Sequence, residues 1–217
     1  MTDIKNQLNY QSCIIYTDKT IAAVFFQREI KGKDMNVYDF DKTIYNGDST
    51  RDFYFFCLRR HPSIIKYLPY QGFMFLRFVL KRIKKTRFKE KFYAFFKNIN
   101  NIDSEVNLFW DTHSDNLKKW YLESKNESDL IISASPEFLL KPICEKLGIR
   151  LIASRVDKLS GKTEGENCYG EEKVNRLKAE YPGFCIDKFY SDSLSDKPLA
   201  DLAKEAFLVK GDFIIKW

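Results

Sequence analysis

Histidine is almost missing from this chain: its 217 residues include only His61 and His113. Catalysis built on an imidazole base is therefore poorly supplied, and both histidines read as surface residues. Cysteine is scarce and unpatterned. Cys13, Cys57, Cys144, Cys168 and Cys185 form no CxxC pair and are odd in number, which argues against a disulfide framework or a zinc site and for a reducing compartment. No long apolar run is present either. The most apolar stretch, residues 64–80, is interrupted by Lys66, Pro69, Gln71 and Arg77, short of the roughly 18 apolar residues that a spanning helix needs. Residues 1–10 are polar and lack the apolar centre of a secretory signal, so the expected location is cytoplasmic.

What is present suits a globular domain. A hydrophobic fraction of 44% with 30% charged residues supplies one buried core and leaves room for a subsidiary lobe, but not for two full domains. Residues 36–49, NVYDFDKTIYNGDS, are the most informative stretch. Asn36, Val37 and Tyr38 are β-prone and run into Asp39 and Asp41. Residues i and i+2 of an extended chain point the same way, so both acids leave the strand on one side. Two carboxylates that close repel each other unless a cation or a shared proton lies between them. Lys42, Thr43, Asn46 and Gly47 then suit a loop.

Residues 1–34 read as an N-terminal extension or an edge hairpin, with β-prone runs at 13–16 and 21–26. Residues 50–125 are helical and basic, with sixteen Lys or Arg against seven Asp or Glu between Arg51 and Lys125. Phe88, Phe92, Phe95, Phe96 and Ile99 recur at helical spacing and predict one apolar helix face, and Phe109, Trp110, Leu117, Trp120, Tyr121 and Leu122 suggest another. Pro62 and Pro69 punctuate the region, with a break expected near Pro69. Strands then alternate with helices. Residues 129–133 and 150–156 read as strands around a helix that Ser135 caps, Pro136 opens and Gly148 closes. Residues 171–181 are helical, 184–190 form a strand, a further helix runs through Ala206, and residues 207–209 form the last strand. This alternation predicts a parallel sheet covered on both faces.

Between Thr43 and Ser133 lie 89 residues, whereas a βαβ crossover unit takes about 30 or somewhat more. The excess is an insertion that leaves the sheet beside the carboxylates, where loops surround the ligand crevice. Three predicted strand ends carry polar groups: Asp39 and Asp41, then Ser133, then Asp192 and Asp196, with Lys173 at the start of a helix near the same edge. Carboxylates, one hydroxyl and one ammonium suit phosphoryl transfer assisted by a hard cation such as Mg²⁺.

The set Asp39-Phe40-Asp41-Lys42-Thr43, Ser133, Lys173, and Asp192 with Asp196 resembles the four motifs of the haloacid dehalogenase (HAD) superfamily of phosphatases. The insertion after the first motif resembles the phosphoserine phosphatase subgroup. The resemblance covers residues 35–217. It implies an α/β fold with a three-layer Rossmann-like core, residues 35–49 and 126–217, and an inserted α-helical cap, residues 50–125. It also implies a Mg²⁺-dependent phosphatase with Asp39 as nucleophile and Asp41 as the acid and base. Ser133 and Lys173 would hold the phosphoryl group. Asp39, the backbone carbonyl of Asp41, and Asp192 would hold the metal, with Asp196 and Thr43 in support and Asp48 a candidate substrate contact.

Members of that subgroup carry Ser-Gly-Gly and Gly-Asp where this chain has Ser133-Ala134-Ser135 and Ser191-Asp192. The expected substrate is therefore a small phosphorylated metabolite or a lipid phosphate rather than phosphoserine itself. Lys81, Arg82, Lys84, Lys85, Arg87, Lys89 and Lys91 form a basic run that reads as a solvated helix face or as a peripheral membrane contact. No nucleic-acid partner is expected, and the oligomeric state has no signature in the sequence. Alternative readings are a membrane- or polyanion-binding module with little activity, a phosphotransferase, and a lipid-phosphate phosphatase.

Overall fold

A computed structural model describes residues 34–217. The expectations for residues 1–33, including the β-prone runs, lie outside the described residues. Strands β1 (Asp34–Tyr38), β2 (Leu130–Pro136), β3 (Arg150–Ser154), β4 (Cys185–Ser191), β5 (Ala203–Lys210) and β6 (Phe213–Lys216) form one sheet in the order β3-β2-β1-β4-β5-β6. The first five are parallel, and β6 returns antiparallel along β5. Alternation of side chains decides the two faces. Leu130 and Ile132 of β2 join one buried cluster with Val37, Val174 and Leu177, while Ile131 joins the other with Phe40, Phe109 and Leu140. Both faces are apolar because both are covered, as a parallel sheet requires.

Five helices separate β1 from β2: α1 (Ser49–Arg60), α2 (Leu68–Val79), α3 (Lys85–Phe92), α4 (Ile102–His113) and α5 (Lys119–Ser124). Three more follow: α6 (Glu137–Leu147), α7 (Glu171–Glu180) and α8 (Lys197–Ala200). The inserted segment is packed onto the sheet rather than hung from it. Phe40 and Tyr45 of the β1 loop meet the Trp110 ring edge-on at 5.8 and 5.6 Å, and Trp110 Nε1 donates to the Leu139 carbonyl of α6 at 2.6 Å. Each fully buried side chain of this size contributes about 2 kcal/mol.

Several boundaries differ from expectation. β1 starts at Asp34, so it takes one residue from the segment assigned as an extension. Pro69 does not break a helix; it sits in the first turn of α2, where its missing N–H costs nothing, after a 3-10 helix over Pro62–Tyr67. The stripe from Phe88 to Ile99 spans α3 and a 3-10 helix over Tyr93–Asn98, and burial is complete only for Phe95, Phe96 and Ile99. β3 stops at Ser154, and the expected helix through Ala206 ends at Ala200, with β5 already begun at Ala203. β6 was not expected. Its signal is the two-residue Gly211-Asp212 turn, Gly211 at φ 59°, between two apolar runs.

The strand order places β1 between β2 and β4, so the chain winds away from β1 in both directions. The carboxyl ends of β1 and β4 therefore border the crevice where open α/β sheets bind ligands.

Candidate active site

Asp39 is the first residue past β1, and its N–H donates to the Tyr190 carbonyl of β4 at 2.9 Å. The crevice position is thus held by the ladder itself. Beyond it the chain folds back: Ile44 and Tyr45 N–H groups both donate to the Phe40 carbonyl at 3.0 Å, and Lys42 N–H donates to the Gly47 carbonyl at 2.8 Å. Lys42 takes a left-handed φ of 59° to make this turn. Gly47 lies at φ 149°, a backbone conformation that side-chain-bearing residues rarely adopt, which favours glycine there. Thr43 is fully buried, and its hydroxyl accepts the Asp192 N–H at 2.9 Å, tying the β1 loop to the end of β4.

Asp39 Oδ1 receives the Lys173 ammonium at 2.7 Å, and the same ammonium reaches Asp196 Oδ2 at 2.8 Å. Asp196 Oδ2 also accepts the Ser191 hydroxyl at 2.7 Å. Lys173 is only 1% exposed. An ammonium so deeply buried would ordinarily lose its proton, but Asp39 and Asp196 overcome the desolvation and hold its pKa above the usual lysine value. Burial pushes the Asp39 carboxyl up to about 7, with Lys173 opposing and Asp196 and Asp41 adding to the rise.

Asp41 points into the same space. Its Oδ1 accepts the Ser49 N–H at 2.7 Å and its Oδ2 the Ser135 hydroxyl at 2.5 Å. Burial and then the nearby Asp48 raise its carboxyl to about 6, while these hydrogen bonds restrain the rise. Ser133 is buried, and its Oγ accepts the Ser135 N–H at 3.1 Å. Ser135 was expected to cap α6. The extended residue before that helix is Pro136, with no side-chain cap, and Ser135 instead bonds Asp41 and Thr50. Asp48 caps α1 by accepting the Arg51 N–H at 2.9 Å while also lining the cavity.

All of the expected site residues except Thr43, which lies behind the Asp192 backbone, line one cavity of about 370 Å³. Its opposite wall comes from the inserted helices and includes Arg51, Lys85, Lys89 and Tyr93. A family model for haloacid dehalogenase-like hydrolases matches residues 37–201, which takes in all four motif positions. The chain belongs to this family. As a HAD hydrolase it shares its fold with two bacterial structures. One is a protein of unknown function from Bordetella pertussis Tohama I, at 20% identity and TM-score 0.68, covering 80% of this chain and 88% of that one. The other is a phosphoserine phosphohydrolase-like protein from Francisella tularensis subsp. tularensis SCHU S4, at 15% identity and TM-score 0.52, covering 80% and 86%. Among curated proteins, none matches the chain in sequence.

Two further residues of this HAD hydrolase reach the site although no local pattern points there. One is Ser135, hidden behind a helix-start pattern. The other is Lys89, which the sequence offers only as one cation in a basic run. Its ammonium donates to the Ala134 carbonyl at 2.6 Å and to Asn167 Oδ1 at 3.0 Å. Burial, followed by repulsion from Lys85, lowers its pKa to about 8. Lys85 itself stands 3.6 Å from the Tyr169 ring centroid, a cation–π contact at the cavity edge.

Proposed function

We propose that this HAD hydrolase is a Mg²⁺-dependent phosphatase acting on phosphate monoesters through an aspartyl-phosphate. The observation that carries the reading is the convergence of Asp39, Asp41, Ser133 and Lys173 on one cavity at the crevice of the sheet. Asp39 uses Oδ1 for Lys173 and leaves Oδ2 for attack on phosphorus. As the Asp39–phosphorus bond forms, the bond from phosphorus to the ester oxygen breaks, and Asp41 donates its proton to the departing alkoxide. The resulting Asp41 carboxylate then takes a proton from water as that water attacks phosphorus. This frees Asp39 and releases inorganic phosphate. A carboxyl with a pKa of about 6 is suited to both tasks near neutral pH. Ser133 and Lys173 hold the phosphoryl oxygens.

The donor chemistry fits Mg²⁺. Five carboxylates, Asp39, Asp41, Asp48, Asp192 and Asp196, line the cavity wall with the buried Lys173 ammonium, and burial raises the Asp192 carboxyl as well. That surplus of negative charge calls for a cation. Among the described residues no three His, Cys, Asp or Glu side chains converge closely enough to hold an ion by themselves. The set on offer is Asp39, Asp192 and the Asp41 carbonyl, which leaves positions for water and substrate, as Mg²⁺ prefers. Bound there, the ion would neutralise charge on the transferring phosphoryl group. The expected result is hydrolysis of p-nitrophenyl phosphate that depends on added Mg²⁺; a chain inert on a broad panel of phosphate esters with Mg²⁺ would overturn the proposal.

Residues 50–125 act as the cap in this reading, excluding water and supplying substrate contacts. A small phosphorylated metabolite or a lipid headgroup suits the cavity, and Lys89 has one N–H left for its anionic group. The Lys89 charge is complete well below pH 8 and is lost as pH rises through about 8. KM should therefore rise across that interval. Lys89→Met should raise KM about tenfold or more at pH 7 and abolish that rise, as read from KM profiles between pH 6.5 and 9.

A further inference from the structure

Helix α2 reverses the usual arrangement of a surface helix. Its inward stripe contains a polar residue, Gln71, bonded to the Tyr54 hydroxyl at 2.8 Å and to the Phe92 carbonyl at 2.9 Å, with Met74 beside it. Its outward face is apolar: Phe73, Phe75, Leu76 and Val79 are each more than half exposed, and Leu68 and Leu80 extend the patch at either end. A helix apolar on nearly all sides normally lies in a core or against lipid, and a contiguous exposed patch of this kind marks a contact surface.

Charge identifies the contact. From Phe53 to Lys89 the chain has ten Lys or Arg and not one Asp or Glu. Lys66 is exposed just before the helix, and Lys81, Arg82, Lys84 and Arg87 are exposed just after it. The chain reverses at Lys81, φ 54°, with Arg82 N–H donating to the Arg77 carbonyl at 2.9 Å, so the cations are gathered at the end of the apolar face. A second copy of the chain would bring this uniformly positive surface against itself, which is costly. Residues 1–33 offer no counter-charge either, with five Lys or Arg against three Asp or Glu. Nucleic acid would meet the cations but leave the phenylalanine, leucine and valine side chains in water. An anionic bilayer surface satisfies both, because apolar side chains enter the acyl boundary while the cations stay at the headgroups.

We propose that α2 and the basic residues that flank it dock this protein on anionic lipid membranes, with the helix lying in the interface. Its 12 residues make it about 18 Å long, too short to span the roughly 30 Å hydrocarbon core, and no helix among the described residues is long and apolar enough to cross a membrane. Helix α3 packs on α2, with the Phe78 and Phe88 rings stacked at 5.0 Å, and α3 also forms part of the cavity wall. A docked membrane would therefore lie one helix away from the candidate active site.

The test is co-sedimentation of the full chain with vesicles of phosphatidylcholine alone or mixed with phosphatidylserine, alongside light scattering of the protein without lipid. The expected result is a monomer that sediments with the anionic vesicles and releases as salt is raised. Lys81→Gln with Lys84→Gln should weaken the partitioning about 25-fold at low salt. Phe73→Ser with Leu76→Ser should weaken it about tenfold or more while leaving the thermal melt unchanged, since both side chains are exposed. Failure to sediment with anionic vesicles at low salt overturns the proposal. So does unchanged binding of the Phe73→Ser, Leu76→Ser variant, which would mark a purely electrostatic surface for polyanions. A dimer that the same variant dissociates would assign the face to a second copy. The sedimentation readout does not depend on phosphatase activity, so failure of one proposal is distinguishable from failure of the other.

Discussion

Asp39→Asn is expected to abolish phosphate-ester hydrolysis, with a loss of about 10⁴-fold or more in kcat. An amide cannot form the acyl phosphate, so the first step loses its nucleophile beside Lys173. The fold should survive. Asp196 keeps a carboxylate on the Lys173 ammonium, and an asparagine oxygen at position 39 can still accept from it. The melting temperature should stay within a few degrees of the wild type. Steady-state kinetics with saturating Mg²⁺, together with a thermal melt, check both parts. Activity retained within tenfold of the wild type would remove Asp39 from the role of nucleophile.

Lys173→Met should produce the largest loss of stability. Lys173 is a buried ammonium held between Asp39 and Asp196, and its removal leaves two buried carboxylates facing each other without compensation. Breaking a buried pair from one side typically costs about 3–5 kcal/mol, which in a chain of this size is a fall of about 10 °C in melting temperature. The sign of the pH dependence follows from the orphaned Asp39 carboxyl. Burial already holds it up at about 7, above the unfolded value of about 3.9, and without the ammonium nothing opposes that rise, so the variant is penalised where Asp39 ionises and relieved where it is protonated. The gap in melting temperature between wild type and Lys173→Met should be widest near neutral pH and should narrow towards about pH 4. Adding Asp196→Asn should recover part of the lost stability, because the two sites are coupled through one contact. A gap that ignores pH would mean that the lysine contributes through packing rather than charge.

Local pattern accounts for what is legible in the sequence. Asp39 and Asp41 share a direction because of the two-residue period of an extended chain. Asp192 stands where β4 meets its loop, Ser133 stands within β2 three residues before its end, and Lys173 stands in the first turn of a helix. Each is set by neighbours within a few residues, so the order of motifs was enough for the family and for the parallel sheet. The 89-residue gap likewise announced the inserted helices by length alone.

Long-range packing decided the rest. Ser135 follows the local rule for a helix cap, yet a carboxylate 94 residues earlier in the chain takes its hydroxyl. Lys89 looks like its basic neighbours, and only the approach of α3 to β2 puts its ammonium on the Ala134 carbonyl. The apolar residues of α2 have the composition of a core helix, and which of them face solvent depends on Gln71 finding its partners at Tyr54 and Phe92. The sequence by itself determined the order and spacing of the motif residues, because backbone periodicity and turn chemistry are local. The tertiary structure alone decided which cation enters the cavity, which hydroxyl holds Asp41 and which apolar face stays uncovered, because those depend on contacts between segments that no local pattern encodes.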